Sequence, residues 1–364
     1  MKKIAISSII ILSIINTCYS QQSYTYSEPN KLEDAWLTTS LHSLNVDTSR
    51  IYQLFTQVLN NKNELHSVLL VKNGRLIIEE YFNNYSVNKQ HDLRSTTKSI
   101  RSILMGIAID EGFIVSIEDP ISKYLKSHSV SKNQDSRKKE ISIKHLLTMS
   151  TGLDCNDWDK KSAGQEDKVY KKKDWIQYTL DLPMINDPGT VSTYCSMGVL
   201  LIAEIISQAS GLAIDEFAEK YLFNPLGITN VSWGHTSSKE VIPSGKRIYM
   251  TSRDMAKIGQ LVLNKGKWDN TQVVSSKWIE ESTTPKTKIT GIDYGYLWWN
   301  IPFKAKEQVV LSKTATGNGG QYIMILPELD MVAVFTGGAY NSQEDKLPFA
   351  IMNNVLLPTF DSDK

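Results

Sequence analysis

The chain is 364 residues long and carries 40 lysines and arginines against 39 acidic residues, a formal charge of +1. That balance, with no large basic block, gives no reason to expect nucleic acid as a partner. Six scattered histidines, without His-Glu-x-x-His or Cys-x-x-Cys spacing, leave the common metal motifs unmatched. The length suffices for one large or two intertwined domains with a substantial core.

In chain order, Met1-Lys2-Lys3 precedes an apolar run over residues 4–15 and a break at Cys18-Tyr19-Ser20. This pattern reads as a secretory signal peptide over residues 1–20, too short for a comfortable membrane span. A retained anchor and a lipoprotein-type box at Ile15-Asn16-Thr17-Cys18 are the alternatives. The expected location is therefore exported, periplasmic or secreted, with membrane association only if the N-terminus is retained or lipidated. Removing residues 1–20 takes away Lys2 and Lys3 and no acid, so 38 basic residues face 39 acidic ones.

Residues 21–45 read as a leader to the fold. Residues 66–71 are β-rich, Asn73-Gly74 is a hairpin turn, and 76–82 form the return strand. Next comes Ser95-Thr96-Thr97-Lys98, followed at once by the apolar ladder Ile100, Ile103, Leu104, Ile107, which predicts a helix ending near Gly112. Helical signals dominate from there to about residue 285, at 143–149, 197–207, 214–221, 254–264 and 276–281. The charged stretches 126–140 and 157–174 read as exposed loops. Strand signals return at 294–301, 321–326 and 331–336, and 347–357 closes as a helix. The implied fold class is α+β: one domain over 46–360, with strands from both ends (50–112 and 286–360) in an antiparallel sheet flanked by helices. A mostly helical lobe, 113–285, is inserted between them, and a cleft between lobes is the expected site.

Ser-x-x-Lys also occurs at Ser129–Lys132 and Ser136–Lys139, but there no apolar period follows that could bury a helix. Ser95 and Lys98 share the first turn of a buried helix, the layout of a serine nucleophile whose proton is taken by a lysine. The helix N-terminus adds free N–H groups for an oxyanion. Tyr194, in Tyr194-Cys195-Ser196, supplies a phenol that can shuttle the proton. Glycines in Thr316-Gly317-Asn318-Gly319-Gly320-Gln321 let a strand edge approach a ligand, and the N–H of Gln321 can join that of Ser95 in an oxyanion hole. Trp298 is an aromatic candidate for the cleft lining. Cys155 and Cys195 are the two cysteines left after cleavage; an exported chain predicts their disulfide, two buried thiols being the alternative.

These elements, in this order, resemble the serine β-lactamase and penicillin-binding-protein superfamily, in particular its class C-like branch with esterases, D-stereospecific peptidases and 6-aminohexanoate-dimer hydrolases. The likeness covers roughly residues 50–360. It rests on Asp92 to Ser99, Ile143 to Leu153, Asn224-Pro225-Leu226-Gly227-Ile228, Tyr294-Gly295-Tyr296-Leu297-Trp298-Trp299 and Gly319-Gly320-Gln321. The resemblance implies Ser95 as acylated nucleophile, Lys98 as its base and Tyr194 as second proton-transfer residue. It also implies a β-lactamase/transpeptidase-like fold, an ester, amide or peptide substrate, and no metal or organic cofactor. Two positions depart from the family pattern. Ser196 stands where the second motif often has Asn, and Asn318 where the third has Lys or His; Ser196, Asn318, Gly319 and Gly320 are the matching substrate-binding positions. Reading Lys313-Thr314-Ala315 as the third motif instead fits the glycines and the strand start less well. Neutral Asn318 argues for neutral or small acyl substrates over anionic β-lactams. The readings that stay open are a D,D-peptidase or weak β-lactamase and a catalytically retired binding or sensor protein.

Overall fold

The computed structural model describes residues 22–234, 245–305 and 308–360; the signal-peptide reading lies outside the described residues. Helix α1 (Ser49–Asn60) leads into the hairpin of β1 (Leu65–Lys72) and β2 (Arg75–Tyr81). Its turn places Asn73 and Gly74 at φ 51° and 70°, the left-handed pair that a two-residue hairpin requires. The two-residue strand β3 (His91–Asp92) precedes α2 (Thr96–Asp110). The middle of the chain forms α3 (Ile143–Leu147), α4 (Glu166–Val169), α5 (Trp175–Leu180), α6 (Ser196–Ser210) and α7 (Ile214–Ala218). Strands β4 (Val231–Gly234) and β5 (Arg247–Met250) join β3 in a small sheet of order β3-β5-β4. Then come α8 (Ser252–Leu263), a short hairpin of β6 (Lys267–Trp268) and β7 (Thr271–Gln272), and α9 (Ser276–Thr283). The C-terminal strands are β8 (Thr287–Ile289), β9 (Ile292–Tyr294), β10 (Trp299–Ala305), β11 (Gln308–Gly317), β12 (Gln321–Leu326) and β13 (Met331–Gly337). Helical turns from α10 (Leu347–Ile351) to α11 (Leu357–Phe360) complete the fold.

The main sheet has eight strands in the order β2-β1-β13-β12-β11-β10-β9-β8, and every neighbouring pair is antiparallel. The N-terminal hairpin closes on the C-terminal strand, with Leu69 opposite Val334, as the element order implies. Alternation explains why these strands read as continuous apolar runs. Leu69, Val71, Ile323, Ile325, Val332 and Val334 face the core shared with α2, α6 and α8. Val68, Leu70, Tyr322, Met324, Met331, Ala333 and Phe335 face a second core under α1 and the C-terminal helices. Both faces are buried, so neither face keeps a polar set.

Four assignments change. The segment 294–301 is not one strand: β9 and β10 are separated by a turn in which Gly295 N–H donates to the Trp298 carbonyl (2.8 Å) and Leu297 takes φ 65°. Residues 308–317, unassigned from sequence, form a central strand whose polar inward positions are satisfied locally, Ser312 Oγ lying 2.8 Å from Thr314 Oγ1. The leader is part of the fold. Tyr24 packs in the outer core, and Trp36 packs in the inner one and donates to the Arg253 carbonyl at 3.2 Å. Arg253, buried, pairs with Asp34 at 2.8 Å and with Glu79. Helix α8, counted in the helical lobe by the 113–285 boundary, lies on the sheet: a Cβ at Gly259 would sit 2.4 Å from Val332 Cγ1.

Helix α2 is the central post, with Thr96 through Ala108 all buried. It carries one helix-interior glycine for a packing reason: a Cβ at Gly106 would lie 2.1 Å from the Trp278 ring of α9, whose Nε1–H donates to the Ser102 carbonyl (2.9 Å). Gly106→Ala gains helix propensity but overpacks this contact, so it should destabilise the protein by about 1–3 kcal/mol. A lowered denaturant midpoint checks this; an unchanged or raised one counts against the packing argument.

Candidate active site

The turn from β3 into α2 sets the position of Ser95. Arg94 adopts φ 49°, a conformation that costs an L-residue about 1–2 kcal/mol, and is held by its N–H donating to Asp92 Oδ1 at 3.0 Å. Ser95 follows as the residue before the first helical turn, half-buried, and Lys98 one turn on is only 8 % exposed. Lys98 Nζ donates to Ser95 Oγ at 2.7 Å. The end of β11 closes on the same helix start: a Cβ at Gly317 would lie 2.4 Å from the Leu93 carbonyl oxygen, so only glycine permits this approach.

Tyr194 reaches the pair from the segment before α6, its ring centroid 4.9 Å from Lys98 Nζ. Trp158 stacks on it at 4.9 Å with planes 1° apart, and Trp299 stacks at 5.9 Å from the other residue group, β10. Cys155 and Cys195 are disulfide-bonded with Cα atoms 5.5 Å apart. The bridge clamps the 155–158 segment onto 194–196, and two hydrogen bonds reinforce it. Asp157 N–H donates to the Tyr194 carbonyl (2.9 Å), and Thr193 Oγ1 donates to the Cys155 carbonyl (2.9 Å).

A cavity of about 80 Å³ runs along α2 from Ser95 to Arg101. Ser95, Lys98, Ser196 and Asn318 line it together, as do Arg94, Arg101, Arg247 and Glu166. Arg94 and Arg247 both pair with the single oxygen Asp92 Oδ2, at 3.0 and 2.9 Å. One carboxylate therefore serves two guanidinium groups.

Ser95, Lys98, Tyr194, Ser196 and Asn318 come together as their order in the chain implies, whereas four other candidates do not. Trp298 is fully buried, because the 295–298 turn drives it into the core; Trp299 is the aromatic beside Tyr194. Gln321 is also fully buried: its side-chain amide donates to the Gly337 carbonyl (2.6 Å), and its own carbonyl accepts from Thr96 Oγ1 (3.3 Å). It does not line the cavity; Asn318, at the end of β11, does. Gly319 and Gly320, at φ 93° and 97°, form the tight turn into β12 and line a separate cavity of about 670 Å³ with α1 residues such as Leu54 and Val58. The Asn318 amide is committed to Asn341, donating to its Oδ1 (2.9 Å) and accepting from its N–H (3.0 Å).

Three residues went unread in the sequence. Asp157 and Glu166 belong to the 157–174 stretch taken as exposed loop, yet Asp157 Oδ2 accepts both the N–H (2.9 Å) and the hydroxyl (2.6 Å) of Ser196. Burial pushes the Asp157 carboxyl up to about 6, against the pull of the Lys98 charge, with Glu166 adding to the rise. Arg247 sits on β5, far from any motif. A signal for Asp157 existed: it lies two residues from Cys155, whose expected partner adjoins Tyr194.

The fold and this serine–lysine–tyrosine grouping define a serine hydrolase of the β-lactamase fold. The chain belongs to the Beta-lactamase family, whose pattern it matches over residues 64–351. It is 22 % identical to an uncharacterised protein of Alkalihalophilus pseudofirmus over 76 % of this chain and 85 % of that one. It is 23 % identical to the 6-aminohexanoate-dimer hydrolase of Paenarthrobacter ureafaciens, the match covering 62 % of this chain and 59 % of the relative. Among solved structures, a Bacillus anthracis protein assigned as a 6-aminohexanoate-dimer hydrolase superposes with TM-score 0.66 at 20 % identity, covering 91 % and 86 % of the two chains. A class C β-lactamase superposes with TM-score 0.61 at 17 % identity, covering 85 % and 96 %. At these identities the superpositions speak to the fold.

The disulfide spans 40 residues, so replacing both cysteines by serine should lower stability by about 2–4 kcal/mol. If the bridge also holds Tyr194 and Asp157, turnover of the folded double variant should fall well below wild type at a temperature where both are native by circular dichroism. Equal turnover would restrict the bridge to a stabilising part.

Proposed function

We propose that the protein is an exported hydrolase that cleaves an ester or amide through an acyl intermediate on Ser95. The 2.7 Å contact between Lys98 Nζ and Ser95 Oγ carries this reading. In the proposed mechanism Lys98, as free amine, takes the hydroxyl proton while Oγ bonds to the substrate carbonyl carbon. The oxyanion is stabilised by the N–H of Ser95 at the helix N-terminus and by the backbone at Asn318, in place of Gln321. Tyr194, next to Lys98, passes the proton to the leaving group. Water then reverses these steps and releases the acid. Export is supported by the disulfide, which persists in oxidising compartments.

Asn318 alone points to a neutral substrate, but its amide is taken up by Asn341, while Arg94 and Arg247, both lining the cavity, share the single carboxylate of Asp92. That excess of positive charge supports a substrate with an anionic group near the scissile bond, which keeps a D,D-peptidase or weak β-lactamase activity within the reading. The name of the 6-aminohexanoate-dimer hydrolase supports an amide.

A fluorophosphonate probe should label Ser95, located by peptide mass spectrometry, and not label Ser95→Ala; labelling elsewhere contradicts the mechanism. Across p-nitrophenyl esters, D-amino-acid amides and nitrocefin, Ser95→Ala should lose activity at least about a thousandfold, and Lys98→Ala about a hundredfold or more. Absence of any turnover or burst in wild type would instead favour a retired binding protein. Arg247→Ala should raise KM about tenfold for carboxylate-bearing substrates and leave neutral esters unchanged. An equal effect on both would remove the anionic preference.

A further inference from the structure

The second motif has lost the side chain that usually completes it, and the structure puts something in its place. Ser196 is too short to reach far into the cavity, but both its hydrogen-bonding donors are fixed on one oxygen, Asp157 Oδ2, at 2.9 Å from the N–H and 2.6 Å from the hydroxyl. The other oxygen, Asp157 Oδ1, is buried and without a hydrogen-bond partner, an expensive arrangement for a carboxylate that serves only to pack. Asp157 is also held in place from three directions. Its N–H is bonded to the Tyr194 carbonyl, its neighbour Trp158 lies flat on the Tyr194 ring, and the Cys155–Cys195 bridge joins the two segments.

We propose that Asp157 is a positioning residue for the Ser95–Lys98 pair: it fixes Ser196 in the cavity wall and supplies the negative charge that balances the ammonium formed when Lys98 takes the serine proton. The proposal rests on the acyl-Ser95 reading. In the acylation step the Ser95 oxygen forms its bond to the carbonyl carbon, its proton moves to Lys98 Nζ, and the carbonyl electron pair moves onto oxygen. Collapse expels the leaving group, which takes a proton by way of Tyr194. Asp157 exchanges no proton with substrate; it changes the energy of the charged intermediate state. An amide at the third place of the motif offers hydrogen bonds without charge. The Ser196–Asp157 pair offers both.

The charged and titratable groups facing Asp157 are Lys98 on α2, Glu166 on α4 and Tyr194 ahead of α6. Burial, opposed by the Lys98 charge and the Ser196 hydrogen bonds and helped by Glu166, leaves its carboxyl at about 6, so the carboxylate is present above that pH and is lost as pH falls through it. The kcat/KM of wild type should therefore fall on the acid side with a limb near pH 6. Asp157→Asn keeps the shape and an acceptor for Ser196 but carries no charge at any pH. It should lower kcat about tenfold or more at neutral pH and abolish the limb, with the disulfide intact by thiol count and the melting temperature recorded as a folding control. Ser196→Ala retains the carboxylate and should lower kcat while keeping the limb. An Asp157→Asn profile that superimposes on wild type overturns the proposal, as does Ser196→Ala with unchanged kcat, which also decides the matter if Asp157→Asn fails to fold. Fluorophosphonate labelling of Ser95 in each protein separates the two levels. Labelled wild type with an unaltered Asp157→Asn profile removes only the role of Asp157, whereas unlabelled Ser95 removes the hydrolase mechanism beneath it.

Discussion

Burial of α2 on every side is the constraint from which the site follows. A helix with Thr96 through Ala108 enclosed has sheet on one flank, α6 on another and α9 on a third, so its N-terminal end is the place where its chemistry can meet a ligand. Two of the polar side chains along it are satisfied by neighbouring backbone: Ser99 Oγ donates to the Leu297 carbonyl (2.7 Å), and Thr96 Oγ1 donates to that of Gln321 (3.3 Å). Ser95 and Lys98 face the cavity instead of these carbonyls, and their first partner is each other. A rigid, centrally packed helix is a good mount for a nucleophile, because small errors in its placement are costly to catalysis.

The charges around the site form two economies of unequal sign. In one group Asp92 is shared between Arg94 and Arg247, one negative charge against two positive ones. In the other, Asp157 faces Lys98 across Ser196, with Glu166 near it. The cavity is thus bordered by two guanidinium groups gathered on Asp92 and by a second group in which Asp157 and Glu166 act on Lys98. The disulfide acts on the second group. It does not touch Ser95, yet Ser196, which holds Asp157, and Trp158, which covers the Tyr194 ring, both lie within three residues of one of its two cysteines.

How much of this was legible in the sequence depended on whether the signal was local. The Ser95 helix could be read because serine, lysine and apolar ladder lie within thirteen consecutive residues, and the hairpin at Asn73-Gly74 because its turn chemistry is specific. The pairing of both chain ends followed from strands flanking helices. Asp157 was invisible because it comes to Ser196 through a tertiary contact 39 residues away, from a stretch whose charges look solvated. Arg247 shares that difficulty. Trp298 was misplaced by a local rule: the aromatic run 294–299 suits a strand, but a left-handed residue at Leu297 breaks the alternation and turns Trp298 inward. In the third motif glycine marks two things within one turn. Gly317 marks the close approach of β11 to α2, while Gly319 and Gly320 merely reverse the chain.

The order of strands in the sheet also sets when the protein can fold. Strand β1 has β2 on one side and β13 on the other, and its pairing Val71↔Val332 joins residues near opposite ends of the chain. Until β13 has left the ribosome, β1 presents an unpaired apolar edge, and the floor beneath α2 does not exist. The sheet therefore closes only after synthesis is nearly complete, through contacts of very long sequence separation that form slowly. A chain held open in this way keeps Ser95 and Lys98 without the strands that enclose them for as long as its last strand is withheld.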